Sequence, residues 1–247
     1  DVNHKLNRSC MGEQMEGIRL TSIPIDQIDV GKCCFNPGCA LNMENPDAAQ
    51  KLLGLLNTHF GKVEFHTVCC HHDPQLPQGS TIINNCAGCD RRFRSLYPGV
   101  GTISIWEVLD TIPNLPLPHY DDLTVSVHDS CSYRPKPQVH AAVRSLLNKM
   151  GISIVESEYS GTNSVCCGDN FYGHIPLEEV RAFQKKRAQQ MPCQDVVVYC
   201  VSCVKSMAFG GKTPHHMADL VLGEPTFVRE RDLTVYHDAL NRYIETH

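Results

Sequence analysis

The sequence predicts an α/β protein of two Rossmann-like, cysteine-rich domains related by a pseudo-two-fold axis. Three observations predict it. Short apolar runs alternate with amphipathic helical stretches, the same order of elements occurs twice, and each round carries five cysteines in one order. Strands alternating with helices favour mainly parallel sheets, because each crossover helix covers a sheet face. Residues 1–30 read as an N-terminal extension, 31–115 as the first domain and 116–247 as the second, divided near Pro113–Tyr120.

Taken in order, Lys62–Val68, Ser80–Asn84 and Gly101–Trp106 are rich in β-branched and aromatic residues and read as strands. Leu123–His128, Ile152–Glu156 and Asp195–Tyr199 read the same way. A first helix starts at Asn45-Pro46, with Asn as cap and Pro in the first turn, and runs to about Phe60. Pro137–Met150 forms a second helix stopped by Gly151, and Pro176–Met191 a third with its charges on one face. A last helix, about Arg231–Glu245, sets Leu233, Tyr236, Leu240 and Tyr243 on one stripe that reads as core.

The repetition is one of order. Cys39, a Pro-started helix, Leu55-Leu56-Asn57, Gly61, a strand and Cys69-Cys70 form one series. Cys131, a Pro-started helix, Leu146-Leu147-Asn148, Gly151, a strand and Cys166-Cys167 form the other. Each continues to a strand that runs into CxxC, Cys86–Cys89 in the first half and Cys200–Cys203 in the second.

The 247 residues carry a net charge of −5, and Lys185-Lys186-Arg187 is their longest basic cluster. That balance argues against nucleic acid or an anionic membrane as the main partner. No apolar run approaches the ~18 residues of a membrane span. Asp1 and its neighbours lack the basic-then-apolar pattern of a signal peptide, so a cytoplasmic location is expected. The chain opens without Met, and residues ahead of Asp1 are expected in the natural protein.

Fourteen cysteines in such a chain point to metal rather than to a disulfide framework. Adjacent pairs lie only ~3.8 Å apart at Cα, a poor fit to disulfide geometry. Thiols at the C-terminal ends of parallel strands converge at one sheet edge, where helix N-termini favour thiolates. Soft thiolates select zinc, copper(I) or iron–sulfur clusters. Five cysteines with an adjacent pair match neither a four-ligand zinc site nor a ferredoxin run.

The second half, with His128-Asp129-Ser130-Cys131, Cys166-Cys167-Gly168, Cys200-Val201-Ser202-Cys203 and His215-His216, resembles the cysteine-rich CCG domain. That domain occurs in the heterodisulfide reductase catalytic subunit (B-like) and in iron–sulfur subunits of glycolate, lactate and glycerol-3-phosphate oxidising complexes. The first half shares Pro37-Gly38-Cys39 and Asn85-Cys86-Ala87-Gly88-Cys89. The resemblance covers about Gly31 to Gly223. It implies a non-cubane 4Fe-4S cluster on Cys131, Cys166, Cys167, Cys200 and Cys203, and a second on Cys39, Cys69, Cys70, Cys86 and Cys89. It further implies an oxidoreductase that splits a disulfide or related sulfur substrate between the clusters, fed by a flavin- or ferredoxin-type partner subunit. The first half departs from the pattern. Only 15 residues separate Cys70 from Cys86, against 32 between Cys167 and Cys200, and His71-His72 follows the pair where Gly stands in the second half. Zinc is therefore the alternative occupant of the first site. An electron-relay subunit without its own substrate, or a non-redox zinc protein, are the alternative functions.

The remaining chemistry reads more plainly. Cys10, Cys33, Cys34 and Cys193 are read as structural thiols, with Cys33-Cys34 near enough to Cys39 to compete as ligands. His71-His72 and His215-His216 read as surface or helix-end groups, and Arg91, Arg92 and Arg94 as a solvated helix face. His128 reads either as a hydrogen-bond donor to a cluster or as a strand-end histidine in a satisfied pair.

Overall fold

The computed structural model describes residues 27–247, so Cys10 and most of the N-terminal extension lie outside it. The first half comprises β1 (Cys33–Asn36), α1 (Cys39–Glu44), α2 (Pro46–Phe60), β2 (Glu64–Phe65), β3 (Thr81–Asn84), α3 (Ala87–Leu96), β4 (Gly101–Ser104) and α4 (Ile105–Asp110). The second comprises β5 (Thr124–His128), α5 (Pro137–Lys149), β6 (Ser153–Ile154), α6 (Leu177–Gln189), β7 (Asp195–Val198), α7 (Val201–Phe209), β8 (Thr213–His216), α8 (Met217–Leu222) and α9 (Leu233–Thr246).

Two four-stranded parallel sheets result, ordered β2-β1-β3-β4 and β6-β5-β7-β8. The two orders are the same when each half is counted from its own first strand. The chain therefore builds one Rossmann-like α/β arrangement twice. In each sheet the chain winds outward both ways from a central pair, β1 with β3 and β5 with β7. The C-terminal ends of such a pair open a crevice, the usual ligand position in open parallel sheets.

Local chemistry sets the helix ends. Asn45 caps α2 by accepting a hydrogen bond from the Ala48 amide, with Pro46 at the first helical position. Ser104 and Glu107 form a capping box that starts α4 at Ile105. The strand expected at Gly101–Trp106 therefore stops at Ser104, and Trp106 packs in the core from a helix. Lys62–Val68 pairs only over Glu64–Phe65, and Ile152–Glu156 only over Ser153–Ile154, because each is an edge strand of its sheet.

One apolar core runs through both halves. It joins Phe35, Leu52, Leu56 and Trp106 to Val127, Val143, Leu147 and Leu220. A buried charge cluster crosses the same seam. Lys136 lies 3.7 Å from Asp90 and 3.5 Å from Glu107, and Arg94 donates to Asp90 at 2.8 Å. Arg94 is thus buried in an ion pair and not on a solvated face; Arg91 is the exposed one. Among the described residues no helix is long and apolar enough to cross a membrane.

Candidate metal centres

Both sets of five cysteines sit at the crevices where the central strands end. In the first half Cys39 opens α1 after β1, Cys69-Cys70 lies in the loop after β2, and Cys86 caps α3 after β3, with Cys89 one turn on. In the second half Cys131 follows β5, Cys166-Cys167 lies in the loop after β6, and Cys200 caps α7 with Cys203 one turn on.

The sulfurs form chains of hydrogen-bonding neighbours. In the first half the order is Cys39, Cys69, Cys70, Cys89, Cys86. In the second it is Cys131, Cys166, Cys167, Cys203, Cys200, which is the same order position by position. Crowded thiols cannot all ionise alike, and each chain sets its members apart. Cys39 is pushed up, chiefly through its bond to Cys69, while that bond lowers Cys69 to about 2. Cys86 is lowered to about 7 by the Cys89 thiol first, with the amides of Cys89 and Gly88 adding to it. In the second chain Cys167 is lowered to about 6, chiefly by Cys166 and then Cys203, whereas Cys131 and Cys203 are raised. Each half thus holds five sulfurs in contact with at least one favoured as thiolate, a donor set that fits a soft metal.

Two glycines make these approaches possible. Gly38 has φ 79°, and a Cβ there would stand 2.5 Å from Cys86 Cβ, so the loop carrying Cys39 closes on Cys86 only without a side chain. Gly168, directly after Cys166-Cys167, has φ 105°, and a Cβ there would stand 3.0 Å from the Gln184 backbone of α6. The glycine of the second half is therefore dictated by the helix above it. No helix lies between Cys70 and Cys86, since residues 71–80 form a loop, and His71 stands exposed in the corresponding place.

Around the second site Asp129 anchors the loop that leads to Cys166. Its carboxylate takes Arg144 at 2.9 and 3.0 Å, the Gly161 amide at 2.6 Å and the Tyr199 hydroxyl at 2.8 Å. Burial works against its charge, but these donors outweigh burial and hold the carboxyl below its usual range. A ring nitrogen of His128 and the sulfurs of Cys167 and Cys203 all lie within 4.8 Å of one another. Arg187, on α6, is buried behind His128 and donates to it at 3.1 Å. Sequence reasoning missed Arg187 because it closes a basic run on a charged helix. Its place on the face of α6 that also carries Val180, Gln184 and Ala188 was the signal available.

Other residues fall outside the sites. Cys33 and Cys34 lie at the start of β1, the far end from the crevice. Burial is the main cause raising both, joined by Asp29 for Cys33 and by Cys33 and Glu64 for Cys34, with no member of the five-sulfur chain taking part. Cys34 nonetheless packs in one buried cluster with Cys69, Cys70 and Cys89, against Cys39 and Cys86. His216 caps α8 by accepting from the Ala218 amide, and His215 pairs with Asp195 at 2.8 Å. Helix α9 lies across both sites. Leu233 and Tyr236 pack in a cluster with Cys166, Ile244 packs with the first-site cysteines, and His72 meets the Ile244 carbonyl at 2.7 Å.

Fold and sites together define an α/β protein with two cysteine-rich centres suited to metal. Residues 125–208 match the family model described as CCG, cysteine-rich domain, so the second half carries a CCG domain. No curated protein matches the chain. The CCG domain and the clustered cysteines point to a metal-binding or iron–sulfur redox role.

Proposed function

We propose that the chain is an iron–sulfur redox subunit of heterodisulfide reductase-like type, holding a non-cubane 4Fe-4S cluster in each half and reducing a disulfide or related sulfur substrate. The observation that carries this reading is the identical order of five neighbouring sulfurs in both halves. A tetrahedral zinc uses four ligands and leaves the fifth thiol without a role. Zinc in the shortened first site is the competing occupant.

A bound cluster supplies one-electron transfer. The chain's own residues hold the thiolates and bring the two sites to a common seam. At that seam Arg91 of the first half acts on Cys131, and Cys86 acts on Tyr133. Reduction of a disulfide breaks one S–S bond and consumes two electrons and two protons, so two one-electron sites match it in number. The sequence contains no dinucleotide fingerprint, P-loop or ferredoxin run, so electrons come from a flavin- or ferredoxin-type partner. We place the protein in the cytoplasm, where such thiols stay reduced.

A second reading, an electron relay without its own substrate, is favoured by α9, which packs against cysteines of both sites. The test is anaerobic. Thiols added to the oxidised protein should perturb the cluster EPR spectrum, and Cys69→Ala with Cys70→Ala should abolish disulfide cleavage. A panel of thiols without spectral effect, with electron transfer intact in the double variant, establishes the relay instead.

A further inference from the structure

His128 ends β5 in the crevice of the second site, and its ring is buried. Arg187 donates its Nε–H to Nδ1 of that ring at 3.1 Å. A guanidinium has donors only and keeps its protons, so Nδ1 must present a lone pair. A neutral imidazole with a bare Nδ1 carries its proton on Nε2. That Nε2 is buried and has no hydrogen-bond partner. A nitrogen that carries a proton has no lone pair for a metal. His128 therefore cannot complete a metal site with Cys167 and Cys203, although a ring nitrogen lies within 4.8 Å of both sulfurs.

The charge on Arg187 points the same way. Its other donors meet only neutral acceptors, Gln190 Oε1 at 3.1 Å and the Tyr159 carbonyl at 2.8 Å. Among the described residues no carboxylate pairs with it, and the Asp129 carboxylate is taken by Arg144. A buried, unpaired cation is costly, and it is retained where a buried anion answers it. Foremost among the acidic groups acting on Arg187 is Cys167, the sulfur favoured as thiolate, followed by Cys203 and Asp129. The first half has neither group. Asn36 and Asn84 end its central strands and bond to each other at 3.0 Å, and no helix stands where α6 would be.

We propose that Arg187 is a positioning residue that locks His128 as its Nε2–H tautomer. His128 then carries an N–H and no lone pair on its other ring nitrogen, beside the sulfurs of Cys167 and Cys203, and is not a metal ligand. An N–H dipole and a buried cation beside those sulfurs stabilise negative charge on them. Building on the iron–sulfur reading above, the pair sets the second site at a higher reduction potential than the first, so that electrons settle there.

Two measurements test this, and only one depends on the cluster. In metal-free, reduced protein, nitrogen-15 NMR of the histidines should show His128 neutral with its proton on Nε2, and Arg187→Met should release it to a mixture of tautomers. A proton on Nδ1 in the wild type overturns the proposal whether or not the chain binds iron. In anaerobically loaded protein, His128→Leu should keep its iron and lower the second-site potential with the first unchanged, and His128→Gln, which retains an N–H, should restore it. Loss of second-site metal in both variants makes His128 a ligand, and an unchanged potential in His128→Leu removes the role of its N–H dipole; either result overturns the proposal.

Discussion

The two halves build the same sheet and the same chain of five sulfurs, yet they enclose them differently. The second places α6 between its adjacent cysteines and its CxxC, whereas the first crosses that interval with a loop and β3 alone. One helix accounts for a set of differences. It presses on Gly168 and so excludes a side chain there, and it delivers Gln184 and Arg187 to the interior. Without it, His71 follows Cys70 exposed, and the buried cation on the first site's helix, Arg94, is paired with the Asp90 carboxylate. The thiol order thus belongs to the strand ends, and the electrostatic setting belongs to the crossover.

The largest expected effect separates sulfurs in the chains from sulfurs outside them. Cys167→Ser or Cys200→Ser should strip metal from the second site and loosen that half, because ligation free energy is folding free energy. Cys193→Ser should leave metal content unchanged. Metal analysis with thermal unfolding reads both, and iron lost from Cys193→Ser but kept in Cys167→Ser would refute the assignment.

Next comes the seam. Asp90→Asn leaves Arg94 buried without its carboxylate and Lys136 with Glu107 alone, and should cost about 3–5 kcal/mol in urea unfolding. A loss under about 1 kcal/mol would mean that the halves are held by the apolar core alone.

The halves also differ in how β4 and β8 pass into helices. Ser104 caps α4 with a hydroxyl, but His216 caps α8 with Nδ1. Burial lowers His216 to about 4, below the ~6.5 of an unfolded histidine. A group depressed in the fold contributes stability that is complete above pH 6.5 and is lost as pH falls towards 4. The loss is on the order of 3 kcal/mol. His216→Ser should flatten that part of the pH profile; an unaltered slope would assign the acid sensitivity to the other buried histidines.

The smallest effect is at the glycine. Gly168→Ala should cost about 1–2 kcal/mol for its left-handed backbone, and more if Gln184 cannot yield. His71→Gly should stay within about 0.5 kcal/mol as an exposed substitution. Equal costs would mean that α6 is not what demands the glycine.

Much of this was legible in the sequence where a residue type has one physical use. Asn45-Pro46 marks the start of α2, and the structure begins that helix at Pro46. The order C, CC, CxxC marks strand ends, and the structure gathers each set into one chain of sulfurs. Strands β1 and β8 escaped notice because four residues such as Cys33-Cys34-Phe35-Asn36 or Thr213-Pro214-His215-His216 show neither alternation nor a β-branched run. Pro214 is tolerated because β8 is an edge strand. Trp106 looked like a strand residue, although Ser104 and Glu107 spelled a capping box. The burial of Arg187 was marked only by its helix face, and its role was illegible because His128 and Cys167 come beside it only in the folded crevice.

The central claim is that both halves hold a multi-iron centre despite their different enclosures. Iron and acid-labile sulfide, counted in protein purified without oxygen, test it most directly when wild type is compared with the Cys69→Ala, Cys70→Ala double variant. The account predicts brown protein with both elements present, and a fall to about half in the variant with the second site intact. Colourless wild-type protein carrying only zinc, or a variant with undiminished iron, would contradict it.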